Sequence, residues 1–355
     1  MDEANVAPLR ERFSSGDGEV FAALDLGTNN CRLLVAVPRG RGFRIVDSFS
    51  RIVRLGEGLS QTGRLSPAAM ERALAALGVC ADKIRRRNAV RVRAVATQAC
   101  RSAANGRQFL VEVERRTGLR LSIITPRNEA QLAVAGCLSL LDLDAKAALV
   151  LDVGGGSTEL SWLDLHGRRV ELHPRRRSFW RPPIVAWLSI PIGVVTLAER
   201  FPSPSGGDLI GFRAMVEAIK SHVAGFSGAE RLRPAFEAGE AHLVGTSGAI
   251  TSLAGLHLRL ARYDRSRVDG LWMRRGDCEA VARRVAMLTV AERGAEPCIG
   301  PDRADLVLAG AAILQAVQEV WPCERVRVAD RGLREGLLLS LMSQRSSTGS
   351  WRSGS

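Results

Sequence analysis

The chain has 355 residues and 46% hydrophobic content, so it can bury a large core, and its length favours two domains. Charged residues make up 25%, and no apolar stretch reaches transmembrane length, since the longest, residues 184–198, is interrupted by Pro191 and Gly193. The net charge of +13 favours an anionic partner such as a phosphate-rich molecule, nucleic acid or an acidic membrane.

The termini and the cysteines indicate the setting of the chain. Residues 1–19 are polar and lack the apolar core of a signal peptide, so we expect a flexible N-terminal extension. Residues 343–355 are rich in Ser and Gly and predict a disordered tail. Seven scattered cysteines without a C-x-x-C pair predict buried thiols in a reducing cytoplasm, and five isolated histidines argue against a histidine-built metal centre.

The first structured unit begins at Val20 with an apolar strand, a turn containing Asp25 and Gly27, and a second strand to Val37. Ser66 and Pro67 are suited to the N-cap and first position of a helix. The elements predicted after the hairpin are a strand at 42–50, a loop at 52–65, a helix at 66–87, a strand at 90–95, a helix at 106–117, a strand at 121–124 and a helix at 125–141.

The same strand–turn–strand unit recurs 127 residues later (152 − 25), with a strand at 147–151, a turn beginning at Asp152 and a strand at 160–165. Two copies predict an α/β fold of two related domains that face each other, at residues 20–143 and 144–328, closed by a helix at 329–342. The remaining predicted elements are strands at 170–172, 242–244 and 326–328 and helices at 195–201, 209–223, from 249 onward, at 277–287, at 304–320 and at 331–342.

The two turns have the composition of a phosphate clamp. Glycines let a backbone approach an anion and present N–H groups to it, and hydroxyls add donors. A single Asp-x-Gly turn is more typical of an ordinary hairpin, but the repetition favours function. A third Gly-hydroxyl turn at 245–248 could equally be a plain strand-to-helix connection. The predicted phosphate-binding residues are Asp25, Gly27, Thr28, Asn29, Gly154, Gly155, Gly156, Ser157, Thr158, Gly245, Thr246, Ser247 and Gly248.

Acidic and basic side chains near these turns are candidates for catalysis. Asp25, Asp152 and Glu159 could hold Mg²⁺ between carboxylate and phosphate oxygens. Glu129 could serve as a general base, or simply complement the dipole of its helix. Arg101 could clamp a phosphate, or be an ordinary surface arginine.

One basic segment has no assigned role. Residues 173–187 contain Arg175, Arg176, Arg177 and Arg181 with Trp180 and Trp187. They could form a polyanion contact or a membrane-surface patch, and a solvated loop is the plain alternative.

Several of these segments together resemble the exopolyphosphatase and guanosine pentaphosphate phosphatase family, in the superfamily of actin, sugar kinases and heat-shock chaperone ATPases. The resemblance extends over roughly residues 20–340 and is carried by residues 23–29, 53–59, 96–97, Arg101, 128–132, 152–160, 245–248 and 332–336.

The resemblance implies two duplicated actin-like (ribonuclease H-like) domains with the active site in the cleft between them. It implies that Glu129 is the catalytic base, that Arg101 clamps phosphate, and that Asp152 and Glu159 hold the metal and position water. The implied substrate is inorganic polyphosphate or guanosine pentaphosphate, with Mg²⁺ or another divalent cation, and a homodimer is a further expectation. No specific nucleic-acid partner is expected.

Residues 175–183 look like an insertion relative to the family, and two single residues differ from the family pattern. Asn128 precedes Glu129 where many relatives have two adjacent glutamates, and Asn30 stands where Ser is frequent. The rival functions are an ATP-dependent kinase or ATPase of the same superfamily and, ranked last, a non-enzymatic polyanion binder whose binding would be salt-sensitive.

Overall fold

The computed structural model describes residues 18–40, 42–166, 182–201 and 209–343. The predictions for the N-terminal extension, for the strand at 170–172, for Arg175 to Arg181 and for the C-terminal tail fall outside these ranges, apart from residues 18, 19 and 343. Within them, no helix combines the length and the apolar character needed to cross a membrane. All seven cysteines are described, and each is a buried free thiol as predicted.

The strands of the described residues form two sheets. The first sheet consists of β1 (Phe21–Leu26), β2 (Asn30–Arg39), β3 (Gly42–Ile52), β4 (Arg91–Ala96) and β5 (Leu121–Ile123). The second sheet consists of β6 (Ala147–Val153), β7 (Thr158–Asp164), β8 (Ile184–Ile190), β9 (Ala241–Thr246), β10 (Trp272–Arg274) and β11 (Arg325–Ala329).

The two sheets share one topology, which confirms the predicted duplication. The first has the order β3-β2-β1-β4-β5 and the second the order β8-β7-β6-β9-β11-β10. In each, a three-stranded antiparallel meander is extended by parallel strands, and β10 adds an antiparallel edge to the second. Asp25 pairs with Arg32 in the first hairpin, and Asp152 pairs with Glu159 at the same place in the second.

The helices cover the faces of the sheets, as expected for an α/β fold. Those of the first half are α1 (Leu59–Thr62), α2 (Pro67–Arg86), α3 (Gln98–Ser102), α4 (Gly106–Thr117) and α5 (Pro126–Cys137). Those of the second half are α6 (Val194–Arg200), α7 (Leu209–Ala224), α8 (Arg233–Glu237), α9 (Gly248–His257), α10 (Arg265–Val268), α11 (Arg275–Met287), α12 (Val290–Ala295), α13 (Leu306–Val320) and α14 (Leu333–Ser343).

Two local predictions need correction. Residues 184–190 form strand β8, which the sequence did not indicate because a continuous apolar run does not show the alternation of a half-buried strand. Helix α5 ends at Cys137, four residues early, because a 3₁₀ turn at Leu138–Leu140 replaces its last turn.

The last helix returns to the first half of the chain. Helix α14 packs on α5 and β1, so its leucines join the core beneath the first sheet. Two glycines let the backbones of α14 and α5 touch. A Cβ atom added at Gly336 would overlap the carbonyl oxygen of Leu132, and one at Gly136 would overlap that of Gly332. This crossing fixes α5, which carries Glu129, against the segment that enters from the second sheet.

Gly336→Ala should therefore destabilise the protein, by about 2 kcal/mol or more, because the added methyl group forces two backbones apart. Gly78→Ala is the matched control, since Gly78 lies within α2 with open space around it. There the substitution should stabilise by about 0.5–1 kcal/mol. Denaturant unfolding of both variants measures the difference, and equal stabilities would show that the crossing is not tight.

Candidate active site

The two predicted phosphate loops meet in a cleft between the sheets. Each turn is closed by the same backbone hydrogen bond, from Gly27 N–H to Asn30 O (2.8 Å) and from Gly154 N–H to Ser157 O (2.9 Å). The loops pack directly on each other, because a Cβ added at Gly155 would lie 3.1 Å from the backbone nitrogen of Asn29. Side chains larger than hydrogen would push the loops apart.

Six acidic residues line this cleft, and four of them, Asp25, Glu129, Asp152 and Glu159, are the ones predicted from the sequence. Burial raises the pKa of Asp25 to about 6, although Arg32 and Arg334 oppose the shift. Burial, with the nearby Glu159 and Asp25, raises the pKa of Asp152 to about 8. The cluster therefore holds more negative charge than its buried surroundings favour, and a cation or a proton would relieve it.

The carboxylates of the cleft do not by themselves complete the coordination shell of a divalent cation. No group of three or more acidic, histidine or cysteine side chains forms a ready-made cation site within the described ranges. However, Oδ1 of Asp25 is buried without a hydrogen-bond partner. Mg²⁺ commonly uses one or two carboxylates and completes its shell with water and phosphate oxygens. Asp25 and Asp152 fit that pattern in the presence of a phosphate-bearing ligand.

Glu159 is held by hydroxyls on its own side of the cleft. Its Oε1 accepts a hydrogen bond from Ser189 Oγ at 3.0 Å. Burial raises its pKa, while the hydroxyls of Ser157 and Ser189 counteract the rise. With only 2% of its surface exposed, this carboxylate has a fixed orientation and suits a role in positioning water or a cation.

Glu129 is 8% exposed and is oriented by Arg101. Arg101 Nη1 lies 3.2 Å from Glu129 Oε2 and donates a second hydrogen bond to the carbonyl oxygen of Ile124 at 2.6 Å. Burial and the charge of Glu159 raise the pKa of Glu129 well above its usual range, and Arg101 only partly offsets this. Helix α5 starts at Pro126 with Thr125 as its N-cap, which places Glu129 in the first turn.

Not every predicted residue reaches the cleft. Arg101 does not line its wall and contacts Glu129 beside it, so direct contact of Arg101 with phosphate stays a prediction. The hydroxyl of Thr158 points away and donates to the carbonyl oxygen of Ile192 at 2.7 Å. Gly245 lies inside strand β9 and is also absent from the wall. Alternate residues of a strand face opposite sides, so contact of Thr158 and Gly245 with phosphate stays a prediction that the cleft wall does not support.

The third turn contributes its later residues. Thr246, Ser247 and Gly248 line the cleft where helix α9 begins. Ser247 Oγ accepts a hydrogen bond from the Ile250 N–H group at 3.1 Å, so it caps the helix. The remaining N–H groups of this helix end provide a positive electrostatic environment for an anion.

Two arginines that the sequence did not single out lie at this helix end. Nη2 of Arg32 and Cζ of Arg303 would lie 3.4 Å and 3.8 Å from a Cβ added at Gly248. Arg32 comes from strand β2 of the first sheet and Arg303 from a 3₁₀ turn before α13, and such a pair can bind a phosphate group from two sides. Arg32 could have been found from its position opposite Asp25 in the first hairpin, whereas nothing local marks Arg303. Further cleft residues not predicted as site residues include Asn30, Thr97, Gln98, Ser252, Asp330, Arg331, Arg334 and Glu335.

Polar contacts join the two halves of the chain next to the first phosphate loop. The carboxylate of Glu199 accepts hydrogen bonds from the Gly58 N–H group (3.0 Å) and the Ser60 hydroxyl (2.6 Å). Arg54 lies 3.4 Å from the Asp305 carboxylate. The segment 53–59 is therefore tied both to the first phosphate loop, through the backbone of Thr28 and Asn29, and to the second half.

Duplicated sheets with hairpin loops that face each other across a cleft define the two-domain, actin-like (ribonuclease H-like) class of protein. The model of the Ppx/GppA phosphatase family matches residues 34–345, and the chain belongs to that family. Its class is accordingly that of a hydrolase.

Individual relatives agree with this assignment. The chain is 30% identical over 341 residues to exopolyphosphatase 2 of Mycobacterium tuberculosis, a match that covers 90% of this chain and 98% of the relative. It is 29% identical over 324 residues to guanosine-5′-triphosphate,3′-diphosphate pyrophosphatase of Aeromonas hydrophila, covering 91% of this chain but 59% of that protein.

A solved structure shows the same fold. The Ppx/GppA family member of Aquifex aeolicus superposes with a TM-score of 0.72 at 27% identity, covering 92% of this chain and 98% of that one. The resemblance recognised from the motifs is thus confirmed for the family and for the fold.

Proposed function

We propose that this protein hydrolyses the terminal phosphoanhydride bond of inorganic polyphosphate or of guanosine pentaphosphate. The observation that carries the proposal is the position of Glu129. It is a buried carboxylate, held by an arginine, and it faces a cleft built from two glycine-containing hairpin loops. These are the parts that activation of water beside a phosphate requires.

Glu129 acts as the general base in this proposal. Its raised pKa, caused mainly by burial, brings the carboxylate closer to the basicity that proton abstraction near neutral pH requires. The carboxylate accepts a proton from water as the water oxygen bonds to the terminal phosphorus. The bond from phosphorus to the bridging oxygen breaks, orthophosphate leaves, and the shortened chain retains the bridging oxygen.

The remaining cleft residues bind and orient the phosphates. The N–H groups of the loops donate to phosphate oxygens, and Arg32 and Arg303 bind the next phosphate at the start of α9. Asp25 and Asp152 would hold a divalent cation, with Glu159 beside them. Such a cation neutralises negative charge that develops on the transferred phosphoryl oxygens.

The choice of substrate is tested by comparison. The names of the relatives point to polyphosphate and to a guanosine nucleotide, and the net charge of +13 favours the longer polyanion. We expect Mg²⁺-dependent release of orthophosphate from long-chain polyphosphate, and slower release from guanosine pentaphosphate. Loss of release when EDTA is added would support the cation requirement.

Two other outcomes would contradict this proposal. Transfer of the ATP γ-phosphate to a small acceptor, without release from either polyanion, would indicate a kinase of the same superfamily. Salt-sensitive binding of polyphosphate that needs neither metal nor Glu129, without turnover, would indicate a polyanion-binding protein.

A further inference from the structure

Gln98 occupies a junction that the proposed mechanism has not used. It is the first residue of α3, immediately after the strand β4 and Thr97, and its side chain lines the cleft. Its amide is fixed at both ends. The oxygen Oε1 accepts hydrogen bonds from Arg101 Nε (3.1 Å) and Nη2 (2.6 Å), and Nε2 donates to Ser102 Oγ at 2.7 Å. Because a guanidinium only donates, the amide oxygen has to face Arg101.

The guanidinium of Arg101 is thereby held between two partners. One edge faces the amide oxygen of Gln98, and Nη1 faces the carboxylate of Glu129. The planar guanidinium transmits orientation from one partner to the other, because its donors have a rigid geometry. Gln98 therefore restricts where Arg101 can place the carboxylate of Glu129.

Gln98 also touches the opposite side of the cleft. A Cβ added at Gly156, in the loop of the second sheet, would lie 3.1 Å from Cγ of Gln98 and 2.8 Å from Oγ1 of Thr28. The stem of Gln98 thus packs against the second phosphate loop, while its amide holds Arg101. Gln98 therefore links the second phosphate loop to Arg101, which orients Glu129.

We propose that Gln98 is a positioning residue for the hydrolysis proposed above, on which this inference rests. It fixes the position of the Arg101–Glu129 pair relative to the glycine loop at 154–156. Gln98 itself neither transfers a proton nor binds the leaving group. Gln98 affects hydrolysis only through Arg101. The experiments below distinguish this positioning role from a general contribution to stability.

Two substitutions of similar size separate the amide oxygen from the bulk of the side chain. Gln98→Met keeps the stem that packs on Gly156 but loses the acceptor, so we expect kcat to fall about tenfold or more while KM changes less than about threefold. Gln98→Glu keeps the acceptor and should restore kcat. Its added negative charge near bound phosphate should instead raise KM.

A double-mutant cycle tests whether Gln98 acts through Arg101. Arg101→Lys removes the planar guanidinium that Gln98 orients. In that background Gln98→Met should have almost no further effect on kcat, because the two residues form one unit. Additive losses would show that Gln98 acts independently of Arg101 and would overturn the inference.

The control variant is Gln108→Met, since Gln108 is an exposed residue of α4 away from the cleft. Gln108→Met should have the kcat, KM and Tm of the wild type. Gln98→Met should also have the Tm of the wild type. An active wild type with an equally active Gln98→Met variant would overturn this inference alone. A wild type that hydrolyses none of the substrates overturns the proposed function, and this inference with it.

Discussion

Glu129→Gln is expected to slow phosphate release about 10³-fold, within the range that general-base catalysis contributes. The amide of glutamine cannot accept the proton from water, yet its oxygen can still accept the hydrogen bond from Arg101 Nη1. The fold and the phosphate loops should therefore remain intact. We expect KM and the Kd for polyphosphate to change little while kcat falls.

The control for this variant is Glu114→Gln. Glu114 is an exposed residue of α4 that pairs with Arg120, and exposed ion pairs contribute little to stability or activity. Its kinetics should equal those of the wild type. If Glu129→Gln had the kcat of the wild type, Glu129 would not be the general base, and the mechanism would lack a proton acceptor.

Asp152→Asn is expected to reduce phosphate release about 10²-fold or more, comparable to the loss of a group that stabilises transition-state charge. The same substitution should raise stability at pH 8 without a divalent cation. The folded-state pKa of Asp152 is about 8, against an ordinary value of 3.8. The neutral form of Asp152 is therefore favoured by folding. Its contribution to stability is fully present below pH 3.8 and is lost as the pH rises toward and through 8, where the buried carboxyl group ionises.

The Tm of Asp152→Asn should consequently exceed that of the wild type by about 2 °C or more at pH 8, and by less at pH 5. Mg²⁺ together with a phosphate ligand should stabilise the wild type more than the variant. A lower Tm than the wild type at pH 8 would show that the Asp152 carboxylate stabilises the unliganded fold, contrary to this account.

The pKa of Asp47 is shifted in the opposite direction to that of Asp152. Burial alone would raise its pKa, but hydrogen bonds from Lys83 and Arg87 lower it overall. Its contribution to stability is therefore present above its unfolded-state pKa and is lost as pH falls through the folded-state value. Asp47→Asn should be less stable than the wild type at both pH 5 and pH 8.

The sequence predicted the duplicated sheets because each hairpin carries its own local signal. Buried strands flank both Asp-x-Gly turns, and the packing of Gly155 against Asn29 shows why these turns need glycine. The position of Glu129 also followed from local signals, since Thr125 and Pro126 mark the start of its helix. Its role came from resemblance, because a glutamate in a first turn is ordinary.

Features that depend on tertiary contacts could not be predicted. Arg303 reaches the cleft from a segment between α12 and α13, and only folding brings it close to Arg32. The place of Arg101 beside Glu129 depends on its contacts with Gln98 and Ile124, whereas its contact with phosphate stays a prediction. Thr158 follows directly on the loop serine, but the pleat of β7 turns its hydroxyl toward Ile192.

The central claim is that water, activated in the cleft, attacks the terminal phosphorus. The most direct test is to incubate the wild-type protein with long-chain polyphosphate and Mg²⁺ in ¹⁸O-labelled water and to analyse the released orthophosphate by mass spectrometry. The account predicts that each released phosphate carries a single ¹⁸O atom from water. An ¹⁸O atom in the shortened chain instead of in the first phosphate released from it, or no release while polyphosphate remains bound, would contradict it.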